Sequence, residues 1–325
     1  MNRSAYEQQL MSRKTTNRMQ SVLLLGGMTL LLALLGWLIA GGLGLLVAAG
    51  GVIIVGFSPQ VSPPVLLRMY RARQLMPSHA PALFRLIHDL AQRADLPHPP
   101  RLYYIPSPMM NAFAIGKRGN AAIAVTDGLL RRLNRRELAG VLAHEISHIN
   151  NNDIWVMGLA DGVSRLTSGL SLGGQFLLLL SLPMMLFGSY SPPWLLFLLL
   201  ISAPTLSALF QLALSRTREY DADLDAAWLT GDPSGLASAL AKLERYQHGF
   251  LERILLPGRR IPDPSLLRTH PTTEDRIQRL LSLDDAAISQ PVSHPAHLPT
   301  EPLPFTTQIP QIVQPPRWRL SGLWF

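Results

Sequence analysis

Arg135-Arg136-Glu137-Leu138-Ala139-Gly140-Val141-Leu142-Ala143-His144-Glu145-Ile146-Ser147-His148 is the stretch that decides how this chain of 325 residues is read. On a helix, His144 and His148 are four residues apart and project from one face. That spacing lets two imidazoles bind one tetrahedral zinc at about 2.0–2.1 Å. Glu145 follows the first histidine, where its carboxylate reaches the open position of such a metal and can take a proton from a water there. The bland alternative is two solvated histidines on an ordinary helix. Leu138 to Ala143 is apolar and small, so the helix can pack into a core while presenting both imidazoles to a cleft.

A catalytic zinc needs a third protein ligand and an open fourth position. The chain has no cysteine, so that ligand is His, Asp or Glu. Glu219, in Ser215-Arg216-Thr217-Arg218-Glu219-Tyr220-Asp221-Ala222-Asp223, is the best candidate, with a surface partner of Arg216 as its competing role. Asp223 lies one turn further along the same face, suited to accept the second N–H of a metal-bound imidazole.

Outward from these motifs the chain loses its charge. No Asp, Glu, Lys or Arg occurs from Met19 to Leu67, or from Leu166 to Ser215, and only 15% of all residues are charged. A soluble protein carries about a quarter, and about 20 apolar residues span a bilayer. A simple soluble enzyme is excluded. Gly41-Gly42 and Gly188 to Pro193 supply turns within the two blocks, which predicts four spans near 22–40, 43–59, 170–187 and 194–214. Arg13, Lys14 and Arg18 precede the first hairpin, and Arg68, Arg71 and Arg73 follow it. Arg165, Arg216 and Arg218 flank the second, while both interhelical turns are uncharged. The positive-inside rule then puts the termini and the polar domain in the cytoplasm. The net charge of +8 belongs to these flanks, so a bilayer and not nucleic acid is the expected partner.

The resulting organisation is a cytoplasmic N-terminus (1–21), a hairpin (22–59), a first catalytic piece (62–165), a second hairpin (166–214), a second catalytic piece (215–285) and a Pro-rich, disordered tail (286–325). Leu83, Leu86, Ile87 and Leu90 mark a helix over Ala80–Arg93. Strand-like runs follow at Arg101–Ile105, Ala112–Ile115 and Ala121–Val125, then helices at Asp127–Leu133, Arg135–Trp155, Pro233–Gln247 and Thr273–Leu281. The fold class is a mainly α membrane protein, with four transmembrane helices and a zincin-like α+β domain carrying a small β-sheet.

Four signatures in order, Asn111-Ala112-Phe113-Ala114-x-Gly116, the His144–His148 segment running on to Asn150 and Asp153, Ser215 to Asp223, and Thr269-His270-Pro271 leading to Arg276, cover about 65–285. In these the chain resembles the HtpX family of integral-membrane zinc metallopeptidases, relatives of the prenyl-protein endopeptidases. The resemblance implies one zinc per chain held by His144, His148 and Glu219, with Glu145 as base. It also implies hydrolysis of misfolded membrane proteins or unfolded chains at the cytoplasmic face of a bacterial inner membrane, in quality control and stress response. Asn111, Ala112, Phe113 and Ala114 would align substrate by strand pairing, and His270 or Arg276 would stabilise the oxyanion. Ile115 departs from the family, which usually has Thr there. An intramembrane protease with the same zinc motif is disfavoured, because Arg131, Arg132, Arg135, Arg136, Glu137 and Asp153 bracket it and charge is costly in a bilayer. A non-catalytic scaffold has no use for Glu145.

Overall fold

In a computed structural model of the chain, residues 3–57, 63–187, 194–254 and 273–288 are described. In chain order the elements are α1 (Arg3–Phe57), α2 (Pro63–Met69), β1 (Arg73–Gln74), α3 (Pro81–Arg93), β2 (Arg101–Ile105), β3 (Ala112–Lys117), β4 (Asn120–Thr126), α4 (Asp127–Arg132), α5 (Arg135–Asn150), α6 (Asp153–Phe187), α7 (Trp194–Thr230), α8 (Pro233–Ile254) and α9 (Thr273–Ile288). They form two compact units. Among the described residues, one joins 3–57 to 153–187 and 194–219, and the other joins 63–152 to 220–254 and 273–288.

The first unit is helical throughout its described residues. Three of its helices are long and apolar enough to cross a membrane, over Lys14–Phe57, Asp153–Pro183 and Trp194–Thr230. The first is not straight. Ala40 and Gly41 leave helical geometry, Gly41 with φ +58°, a value that favours glycine. A Cβ added to Gly44 would stand 1.9 Å from the carbonyl oxygen of Gly36. In an unbroken helix those residues would be about 12 Å apart, so α1 folds back on itself at the glycine turn expected from the sequence. Met28, Leu32 and Ala48 then share one core with Ala160 and Val163 of α6. Leu30, Leu46 and Leu195 point outward, each about 70% exposed, as lipid-facing side chains do.

Proline tests the same unit. Pro204 in α7 cannot donate to the carbonyl of Leu200, four residues earlier. Ser171 Oγ of α6 donates to that carbonyl, and Gln175 Nε2 donates to it at 2.9 Å. In a membrane interior such a replacement is what keeps a helical proline tolerable. Nearer the end of the span, the Arg218 guanidinium grips Asp153, Nε donating to Oδ1 at 2.6 Å, with both residues buried.

The second unit is a four-stranded sheet of order β1-β2-β4-β3, with α3 and α5 on one face and the short α2 on the other. β2 and β4 are parallel, while β1 and β3 pair antiparallel at the edges. α3 buries Leu83, Leu86, Ile87 and Leu90, the helical stripe read from sequence, against the sheet and α5. α5 is the core helix, buried along most of its length. Its start is a capping box between Asn134 and Glu137, and the Glu137 carboxylate also accepts from Ser238 Oγ and Lys242 Nζ, each at 2.7 Å. Burial alone would raise the pKa of Glu137, but these donors hold it below the usual carboxylate range. Gly140 lets α8 come close, since a Cβ there would stand 2.9 Å from the Leu236 backbone.

Several boundaries differ from the sequence expectation, among them β3, which runs on to Lys117, and β4, which spans Asn120–Thr126. The helix expected over Arg135–Trp155 ends at Asn150, because Asn152 adopts φ +54°, and a new helix begins at Asp153. Asparagine tolerates this left-handed geometry better than most residues. α8 continues to Ile254, beyond Gln247, and α9 continues to Ile288, beyond Leu281. His270 and the Pro-rich tail past Ile288 lie outside the described residues.

Candidate metal centre

α5 points His144 and His148 from one face as their spacing requires. Their Nε2 atoms converge to 3.1 Å, and the two rings meet edge to face. A tetrahedral centre with bonds of about 2.0–2.1 Å separates its ligand atoms by about 3.3–3.4 Å. Two imidazole nitrogens at 3.1 Å therefore already have the spacing of one metal's ligands. Glu219 completes the set, and the ligand atoms of His144, His148 and Glu219 all lie within 4.8 Å of one another. Glu219 belongs to the turn of α7 on which the compact units divide, in one continuous helix with Asp223. Two neutral nitrogens and a carboxylate oxygen are a donor set that suits zinc.

Asp223 stands behind the first histidine, its Oδ1 3.0 Å from His144 Nδ1. Accepting from Nδ1–H leaves the Nε2 lone pair directed at the cluster, which fixes the ligating tautomer. Arg276 of α9 in turn clamps Asp223 with two donors, Nε to Oδ2 at 2.7 Å and Nη2 to Oδ1 at 2.6 Å. Burial would push the Asp223 carboxyl up, but Arg276 and then His144 hold it below the usual range. Arg279, one turn on, lies 3.7 Å over the Tyr220 ring and fastens α9 to α7 again.

Glu145 is half-buried, and its Oε2 accepts from the backbone N–H of Ala114 at 2.9 Å. That bond orients the whole edge strand. The Asn111 carbonyl accepts from the Thr126 amide, so residues 111, 113, 115 and 117 turn their polar groups toward β4. Strand alternation then directs the N–H and C=O of Ala112, Ala114 and Gly116 away from the sheet. Phe113 contributes backbone to β3, while its ring lies 5.3 Å from Tyr70 on the opposite sheet face.

Residues 77–284 match peptidase family M48. The chain belongs to that family. It is 38% identical to a protease HtpX homolog of Desulfatibacillum aliphaticivorans over 81% of this chain and 89% of that one. It is 40% identical to a protease HtpX homolog of Acaryochloris marina, over 71% and 81% of the two chains. A crystal structure of S. mikatae Ste24p aligns at 20% identity with a TM-score of 0.47, covering 84% of this chain and 66% of that chain. The M48 protein is thus a metalloprotease and, with its long apolar helices, a multi-pass membrane protein.

The structure brings together His144, Glu145, His148, Glu219, Asp223, Arg276 and the Ala112–Ala114 strand. Sequence reading missed a polar knot behind the ligands. Ser147 Oγ donates to Asp225 Oδ2 at 2.8 Å, and Asn151 Nδ2 donates to the same oxygen at 2.8 Å, tying the end of α5 to α7. The one available signal was that Ser147 and Asn151 share a helix face opposite a stretch carrying three aspartates.

Proposed function

We propose that this M48 protein is a zinc endopeptidase that crosses the membrane four times and cuts polypeptides at the cytoplasmic surface. The observation carrying this reading is the convergence of His144, His148 and Glu219 beside Glu145. When bound, zinc would polarise the scissile carbonyl and acidify a water beside Glu145. Glu145 takes a proton from the attacking water and passes it to the amine nitrogen as the C–N bond breaks. Asp223, clamped by Arg276, keeps His144 in its ligating orientation. The outward groups of Ala112 and the Ala114 carbonyl pair with an extended substrate, holding its scissile bond level with Glu145, which the Ala114 N–H orients. His270 stays a candidate donor to the oxyanion, and Arg276 serves the ligands through Asp223.

The four crossings and the cytoplasmic site rest on the reversal at Ala40-Gly41 and on the basic flanks of both apolar blocks. α7 runs without interruption from Trp194 to Thr230, so Glu219 lies five residues past Leu214, the last apolar residue of the span. At 1.5 Å per residue that is about 7–8 Å. The site then works close to the bilayer, and its substrates are membrane proteins cut near the surface, or unfolded chains that reach it. This suits quality control in a bacterial inner membrane. The test tethers one cleavable segment to a transmembrane anchor through spacers of increasing length, with and without a chelator. Cleavage should need metal and fall as the spacer lengthens. Cleavage indifferent to spacer length would refute the surface-proximal site.

A further inference from the structure

A concavity of about 340 Å³ opens at the start of β3, lined by Met110, Arg132, Lys242, Arg245 and Tyr246. Its volume falls within the range of small-ligand sites, about 300–1,000 Å³. Among the described residues, every charged side chain that lines it is a cation. Arg132 is held by neutral partners. Its Nη1 donates to the carbonyls of Pro108 at 3.2 Å and Gly128 at 3.3 Å. Its guanidinium also lies 4.6 Å over the Tyr246 ring, whose hydroxyl donates to Pro108 O at 3.0 Å. Arg245 is exposed, its Nε donating a helical bond to Ala241 O at 3.2 Å. Lys242 spends part of its charge on Glu137, a buried carboxylate already shared with Ser238 and the Asn134 amide. Among the described residues, three cations therefore face the cavity against one carboxylate that is committed elsewhere.

The position gives the cavity a role. Met110 directly precedes Asn111, and β3 begins at Ala112. A strand paired to the outer edge of β3 meets Glu145 at the level of Ala114. From Ala114 back to Met110 is about 13 Å of extended chain. We propose that this pocket binds an acidic side chain of the substrate, roughly two to four residues from the scissile bond, by charge-assisted hydrogen bonds from Arg132 and Arg245. The proposal rests on the peptidase reading and adds a specificity determinant to it.

The test uses the zinc-loaded full chain in detergent and quenched fluorescent peptides that differ by one Glu for Gln, placed at each of four positions on either side of the cut. Glu should raise kcat/KM about tenfold at one or two neighbouring positions on one side only, the size of one charge-assisted contact. That ratio should shrink as salt is raised, because the pocket is partly exposed. Arg245→Glu should reverse it, so that a Lys-containing peptide becomes the better substrate, and Arg132→Gln should lower it. Equal rates for Glu and Gln peptides at every position would overturn the pocket alone, as would a ratio unmoved in both variants. Failure to cleave any peptide with zinc bound would instead overturn the peptidase reading on which the pocket depends.

Discussion

Replacing Arg276 with Leu removes both donors that hold Asp223, at 2.6 and 2.7 Å, in a place where both side chains are less than 10% exposed. Breaking a buried pair by deleting one partner costs about 3–5 kcal/mol, since the remaining charge is left in a poor solvent. Asp223 would then no longer fix the His144 ring, and loss of such a support lowers metal affinity by about 10–100-fold. Arg276→Lys keeps the charge but not the fork, and should recover part of both losses. The assay is zinc competition against a chromophoric chelator, read beside thermal unfolding in detergent. A double-mutant cycle with Asp223→Asn should be strongly sub-additive, because both changes break one chain of contacts. If Arg276→Lys bound zinc as tightly as wild type yet lost turnover, Arg276 would be acting on the oxyanion and not through Asp223. Additive effects in the cycle would refute the chain itself.

Glu219→Ala should lose tight zinc binding and proteolysis together, whereas Asp223→Ala should weaken zinc by about 10–100-fold and leave measurable activity; equilibrium dialysis with metal analysis separates them. The Glu137 carboxyl is held below its usual range, so its stabilisation is complete above the unfolded value of about 4.3 and fades as pH falls through the lower folded value. Lys242→Met should therefore cost about 1 kcal/mol near neutrality, discounted because Lys242 is partly exposed, and its Tm should approach that of wild type below pH 4. Gly44→Leu should disrupt the α1 hairpin, since even a Cβ there meets the Gly36 carbonyl. Lower Tm with unchanged zinc affinity in the residual folded protein is the expected result.

The features legible in the sequence were those that local pattern carries. The His144–His148 spacing, the α3 stripe and the Gly41 turn each depend on residues within a few positions of one another, and the two charge-free blocks are contiguous in the chain. Tertiary pairing was less accessible. β1 has two residues and no periodicity to read, and the parallel pairing of β2 with β4 skips β3, which lies between them in sequence but at the sheet edge in the fold. The break at Asn152 rests on one left-handed residue in an otherwise helical pattern. Arg276 carried a signal of importance, but its partner, Asp223, is 53 residues away, so the contact that assigns its work exists only in the fold.

The central claim is that one metal, held by His144, His148 and Glu219, serves peptide hydrolysis with Glu145 as the base. Zinc content and cleavage of an unfolded protein should be measured on the same preparation of Glu145→Gln. That variant should retain one zinc per chain and lose cleavage by several orders of magnitude, since the ligands are untouched and the proton acceptor is gone. Cleavage at the wild-type rate with zinc bound would contradict the assignment of Glu145, and the absence of zinc from catalytically active wild type would contradict the metal centre.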